Sequence, residues 1–128
     1  MIRFFLRSKI HRATVTEANV AYEGSITIDR YLMNAAGLLP FEKVEVYDVD
    51  NGNRFETYVI EGGPGSGDIH VNGAAAHLVA PGHKLIIACY CSLHEGQLLT
   101  HRPKLVFVDE NNAIREIREG ETAKTVTV

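Results

Sequence analysis

Alternation of apolar and polar positions governs this chain. Its longest clean example is Lys43-Val44-Glu45-Val46-Tyr47-Asp48-Val49-Asp50, then Asn51-Gly52, then Asn53-Arg54-Phe55-Glu56-Thr57-Tyr58-Val59-Ile60. A period of two puts successive side chains on opposite faces of a strand. Asn-Gly between two such runs predicts a β-hairpin with a two-residue type I′ turn, whose central residues both need positive φ. Further strands are predicted at residues 2–6, 10–16, 25–29, 69–71, 84–91 and 105–108, each ended by Gly, Pro, Asn or Asp. Helical signals are short. Residues 30–36 close on Gly37, the expected C′ glycine, and residues 92–99 read as a two-turn helix with Ser92 as N-cap.

Between these elements, residues 62–67 (Gly-Gly-Pro-Gly-Ser-Gly) hold no regular structure and read as an exposed loop rather than a domain linker. Asp109-Glu110-Asn111-Asn112 reads as a hairpin turn with solvated charges. The tail after Ile117 is polar and is expected to fray. There is no internal repeat. Seven or more strands in 128 residues favour a closed or nearly closed barrel, which removes the edges that one open sheet would expose.

Composition narrows what such a barrel could do. At 128 residues the chain is one domain with no room for a separate cofactor-binding unit. Thirteen Lys and Arg against sixteen Asp and Glu leave a net charge of −3, so there is no basic field for nucleic acid or an anionic membrane. The opening apolar stretch is interrupted by Arg3 and Arg7, too short for a signal segment or a membrane span, and a cytoplasmic protein is expected. Cys89 and Cys91 fall on one strand face and suit core packing in a reducing compartment. The six histidines have no zinc-site spacing, and no metal is expected. Dinucleotide, P-loop, zinc-protease and nucleophile-elbow motifs are all absent from the chain.

Two short segments carry the candidate chemistry. Asn72-Gly73-Ala74-Ala75-Ala76 offers no bulk after a strand, which suits either a backbone N–H cradle for an anionic ligand or a tight strand-to-helix corner. Glu23-Gly24-Ser25 lies between candidate strand regions at 13–22 and 25–29, and Gly-Ser is a common turn dipeptide. It has a rarer use. A serine hydroxyl can attack the carbonyl carbon of its own preceding peptide bond, where glycine least hinders the bent geometry, and the amide becomes an ester. β-Elimination of that ester leaves dehydroalanine, and its hydrolysis gives a pyruvoyl group, a ketone at a new amino terminus.

Four segments together, Lys9-Ile10-His11-Arg12, Tyr22-Glu23-Gly24-Ser25, Asn51 to Tyr58 (Asn-Gly-Asn-Arg-Phe-Glu-Thr-Tyr) and Asn72-Gly73-Ala74-Ala75-Ala76-His77, resemble the bacterial aspartate 1-decarboxylase family over about residues 1–108. The resemblance implies a mainly β fold, a six-stranded double-psi β-barrel with short helices, assembled as a homotetramer with active sites between subunits. It implies a carboxy-lyase converting L-aspartate to β-alanine and CO2 for pantothenate, and so coenzyme A, synthesis. Self-cleavage at Gly24-Ser25, with or without a maturation factor, would divide the single domain into a β chain, 1–24, and an α chain, 25–128. Ser25 would become the pyruvoyl cofactor that forms a Schiff base with substrate, with no pyridoxal phosphate and no metal.

The same likeness assigns the other roles. Thr57 would polarise the Gly24 carbonyl during processing and contact substrate afterwards; Lys9 and Arg54 would receive the aspartate carboxylates; Gly73, Ala74 and Ala75 would give backbone contacts; Tyr58 would return the proton to the carbanion. The chemistry is coherent: Arg grips a carboxylate bidentately where Lys acts as a point charge, and a phenol, with its ordinary pKa of about 10, can serve as an acid at neutral pH. One conflict stands. Strict alternation puts Arg54, Glu56 and Tyr58 on one face and Phe55, Thr57 and Val59 on the other. A bulge near Thr57 or a site shared between subunits would resolve it, and sharing is the expectation. The alternative to the enzyme is a small non-catalytic barrel that binds a ligand or partner, with Gly24-Ser25 a plain turn.

Overall fold

The alternating runs become nine strands, β1 (Phe4–Thr14), β2 (Glu17–Asn19), β3 (Ser25–Asp29), β4 (Lys43–Asp48), β5 (Arg54–Gly62), β6 (Ile69–Asn72), β7 (Lys84–Ser92), β8 (Lys104–Val108) and β9 (Ile114–Glu119), in a computed structural model that describes residues 1–120. Two short helices, α1 (Arg30–Ala36) and α2 (Glu95–Leu98), and a 3₁₀ helix at Gly73–Leu78 connect them. The strands hydrogen-bond in the order β2-β6-β3-β5-β4-β7-β1-β8-β9. The fold is mainly β and barrel-like with short helices, as expected; there are nine strands among the described residues, and hydrogen-bonded pairing does not close the ladder. Thr16 spans the gap. Its backbone N–H donates to the Ile69 carbonyl at 2.9 Å, and its hydroxyl accepts from the Ile69 N–H at 2.9 Å.

Alternation fills the interior as expected. Ile10, Ile26, Ile28, Val44, Val46, Val59, Ile69, Val71, Leu85 and Ile87 are all buried and come from six neighbouring strands. Cys89 joins them, while Cys91 on the same strand is half-buried. Beneath one end, Arg7 donates to Glu42 at 2.6 Å and to the Cys89 sulfur at 3.0 Å. Burial pushes the Cys89 thiol above its ordinary range, against the opposing pull of Arg7.

Several expectations are corrected. The predicted strands at 2–6 and 10–16 are one strand, β1, whose register against β7 slips between Leu6 and Ser8 and between Ile10 and Ala13. Arg12 sits at φ 64° inside the second slip, so a bulge bends the strand where two strands were expected. The 43–60 hairpin forms, but not through a two-residue turn. Gly52 is at φ 77° while Asn51 is not in the left-handed region, and Asp48 and Asn53 flank a four-residue loop. The buried Asp48 carboxylate draws the chain around itself, accepting from the backbone of Asp50 at 2.8 Å and Asn51 at 3.2 Å.

In α2 the N-cap is His94 rather than Ser92, in a capping box with Gln97, because the helix starts at Glu95 and not at residue 92. The 109–112 hairpin turn is present, but Asp109 is not left to solvent: its carboxylate accepts from the backbone of Asn111 and Ala113. The tail is ordered in β9 through Glu119; residues 121–128, the remainder of the segment expected to fray, lie outside the described residues.

The glycine-rich loop is exposed at 63–66, as read, yet anchored at its root. Asp29, 3% exposed, ends β3 and accepts from Tyr31 N at the start of α1, from Gly65 N at 3.0 Å and from Gly67 N at 2.9 Å. One carboxylate thus caps a helix and closes a loop. Asp29→Ala removes all three acceptors and leaves the N–H groups unpaired, so stability should fall by about 3 kcal/mol and the melting temperature by roughly 10 °C. A thermal melt checks this; a shift under about 2 °C would show that the loop closes without Asp29.

Candidate active site

Pairing of β3 between β6 and β5 builds the site around Ser25. Antiparallel pairing sets Ser25 opposite Asn72, and the parallel ladder begins at Ile26 opposite Val59, one residue beyond Ser25 and Tyr58. Ser25 is only 1% exposed although Gly24 beside it is exposed. The Asn72 side-chain amide donates to Ser25 Oγ at 3.0 Å and to Thr27 Oγ1 at 3.2 Å. Ser25 Oγ in turn donates to the Glu23 carbonyl at 3.3 Å, one residue upstream of the Gly24 carbonyl. The Ser25 hydroxyl is thus buried and hydrogen-bonded on both sides, beside a solvent-facing glycine.

After Asn72 the backbone turns sharply into the 3₁₀ helix, so the corner reading of 72–76 holds. Gly73 has φ 76°, and a Cβ there would lie 2.6 Å from Gly24 Cα and 2.8 Å from Gly24 N. The absence of a side chain is what lets the two backbones meet. Gly24 itself is under no such constraint, since a Cβ on it would meet nothing within 4 Å. Ala74 is exposed and Ala75 half-buried, leaving this corner's surface small and open.

Tyr58 is 37% exposed, its ring 6.2 Å from Phe41. Thr57 is half-buried and pairs with Val44. The register of β5 against β4 runs unbroken from Arg54 to Tyr58, so there is no bulge to bring Thr57 and Tyr58 to one face. Arg54 stands at the start of β5, its guanidinium 4.4 Å from the ring centroid of Tyr47. The Tyr47 hydroxyl meets that of Tyr90 at 3.0 Å, and burial followed by this bond raises the Tyr47 phenol above its ordinary pKa. Lys9 is elsewhere. It lies on β1, four places from β3 in the strand order, in one register row with Ala88 and Glu45.

The chain therefore gathers Gly24, Ser25, Gly73 and Tyr58, sets Thr57 on the other face of β5, and leaves Lys9 apart. Asn72 is the partner that sequence reasoning missed as a side chain: it stood out only as a turn residue, and its pairing with Ser25 is separated by 47 positions. His11 Nδ1 is buried without a hydrogen-bond partner, and the ring lies 5.4 Å from Phe107; burial, then the charges of Lys9 and Arg12, hold its pKa down. Asp48, Asp50 and His83 also converge, ligand atoms within 4.8 Å, a grouping invisible in their spacing. Each is engaged within the fold, His83 Nδ1 with Asp48 at 2.7 Å and Asp50 with the backbone N–H of Lys84 at 2.7 Å.

Comparison with known proteins agrees with this geometry. Residues 1–115 match the family model described as aspartate decarboxylase. The aspartate 1-decarboxylase of Caldicellulosiruptor saccharolyticus is 60% identical over 116 residues, 91% of each chain. That of Clostridium kluyveri is 56% identical over the same shares, and that of Dehalococcoides mccartyi 54% over 96% of this chain and 99% of its own. With the match spanning nearly the whole chain, and with Ser25 buried at a backbone corner only glycine permits, this chain belongs to the aspartate decarboxylase family.

Proposed function

We propose that this chain is an aspartate 1-decarboxylase that forms its own electrophile from Ser25. The observation that carries the reading is the Asn72–Ser25–Gly24–Gly73 arrangement: a buried hydroxyl with a fixed donor, next to an exposed glycyl peptide on which a second backbone closes in. Attack by Ser25 Oγ on the Gly24 carbonyl carbon forms the ester as the C–N bond breaks and the hydroxyl proton passes to the Ser25 nitrogen. Removal of the Ser25 Cα proton then breaks Cβ–Oγ, leaving a Gly24 carboxylate and dehydroalanine. Water adds to the imine tautomer and ammonia leaves. Asn72 Nδ2 donates to Ser25 Oγ, the oxygen that departs within the Gly24 carboxylate, so it is placed to meet the charge that builds there during elimination.

The pyruvoyl group so formed supplies a ketone for the substrate amine and a sink for the electrons left when carbon dioxide departs. The residues present fit it: position 25 is buried, has a donor in Asn72, and lies beside the small residues Gly73, Ala74 and Ala75. Arg54, flat against Tyr47, presents its fork to one carboxylate of aspartate. Tyr58 Oη holds the proton for Cα, since its strand position adjoins that of Ser25. Thr57 acts on the Gly24 carbonyl. Alternation without a bulge supports a site completed by a second copy, in a homotetramer. A concavity of about 460 Å³, lined by Phe4, Glu45, Ala88 and Tyr90, shares the Lys9 register row and is the face where that copy would dock and bring Lys9 across. Among the described residues no helix is long and apolar enough to cross a membrane.

Denaturing mass spectrometry tests the central claim. Division of 14.2 kDa in the ratio of 24 to 104 residues gives fragments of roughly 2.7 and 11.5 kDa, the larger lighter by one ammonia than simple hydrolysis would leave it. Ser25→Ala should remain intact and inactive; decarboxylation by that variant without pyridoxal phosphate would refute the mechanism. Tyr58→Phe should still cleave but turn over about 100-fold more slowly, and failure to cleave would move Tyr58 into processing. Gly73→Ala should slow cleavage at least about tenfold, because its methyl group displaces Gly24; a wild-type cleavage rate would show that the close approach is dispensable.

A further inference from the structure

One face of the β2–β6–β3 edge carries a polar cluster that aspartate binding does not require. His70 and Asn72 are two apart on β6, Ser25 and Thr27 two apart on β3, and Glu17 and Asn19 two apart on β2, in register as Glu17↔His70↔Thr27 and Asn19↔Asn72↔Ser25. These rows border a pocket of about 150 Å³ that Tyr22 completes. His70 stands between two carboxylates, Nδ1 3.4 Å from Glu17 and Nε2 3.3 Å from Asp68. Only an imidazolium can donate from both nitrogens; neutral imidazole turns a lone pair toward one of the two acids.

We propose that His70 is a positioning residue for cleavage of the Gly24–Ser25 bond, a clamp between Glu17 and Asp68 that holds β2 and the turn following it against the Asn72–Ser25 pair. The proposal rests on the self-cleavage reading. β2 has three residues and one neighbour, β6, and a strand so short opens locally unless something fastens it. The chain from Asn19 to Gly24 hangs from it, and that segment sets the Gly24 carbonyl relative to Ser25 Oγ. Ser25 Oγ points at Glu23 O, one carbonyl short of its target, so a small movement of the turn separates a resting from an attacking geometry. The ionisable groups facing His70 are Glu17 from β2, Asp68 from the approach to β6 and Tyr22 across the pocket, while β3 presents the uncharged Thr27. The His70 ring, set between them, is therefore what ties two acids from different segments together, and its loss frees Glu17.

The test follows cleavage of freshly purified full-length precursor by denaturing mass spectrometry. His70→Gln should cleave at least about fivefold more slowly than wild type, and Glu17→Gln, on a side chain 56% exposed, should move the same way. Decarboxylation per cleaved chain should stay within about twofold of wild type, since His70 touches no proposed substrate group. Thermal melts verify folding; if His70→Gln does not fold, Glu17→Gln alone decides. A variant that cleaves at the wild-type rate, or that loses turnover per cleaved chain in equal measure, overturns the clamp. A wild-type chain that stays intact overturns self-cleavage and the clamp with it.

Discussion

The close approach of the Gly73 and Gly24 backbones is the constraint on which the site depends. It needs a residue without Cβ at φ 76°, directly after a strand whose last side chain, Asn72, is committed to Ser25. Those demands are coupled through the β3–β6 pairing: Ser25 opposite Asn72 fixes the donor, and the turn after Asn72 brings Gly73 onto Gly24. A register shift of one residue would swing Ser25 to the other face and present Ile26 to the donor. Burial of Ile26, Ile28, Ile69 and Val71 is what prevents it, so the apolar core determines which hydroxyl is available for chemistry.

That coupling also explains the separation of roles around the sheet. Inward positions of β5 supply Val59 to the core, while outward positions carry Arg54 and Tyr58, and the regular ladder to β4 leaves no local distortion to mix them. Arg54 gains its orientation from the Tyr47 ring rather than from the Ser25 pocket. Lys9 obtains its place from β7 and β8, four places from β3 in the strand order. The apolar rings of Phe4 and Tyr90, 72% and 39% exposed, lie on that same part.

Much of this was legible from local pattern because the signals are local. β3 and α1 occupy the residues that alternation and the Gly37 cap indicate, and the hairpin strands follow from their period. Errors fall where a long-range partner overrides a short-range preference. The Asn-Gly turn gave way to a longer loop because Asp48 is buried and draws the backbone to its carboxylate. β1 ran on through Arg12 because β7 and β8 pair with it on both sides and a bulge is easier to accommodate than a break. Ser25 and Gly24 could be named from their neighbours in sequence, but Asn72 acquires its meaning from Ser25 and Thr27, 45 or more positions away, a relation that periodicity does not encode.

A cut between Gly24 and Ser25 would be tolerated for the same topological reasons. β1 is paired on one side with β7 and on the other with β8, and contributes Ile10 and Ala13 to the core. Val15 and Thr16 bond to His83 and Ile69, and β2 lies along β6. Residues 1–24 thus keep their partners whether or not they are covalently joined to residue 25. What the cut would remove is a restraint on the end of a turn, while residue 25 would stay in the β3 ladder opposite Asn72. The segment at the cut would therefore be tethered on one side by β1 and β2 and on the other by β3, so a break there would release a turn and not the barrel.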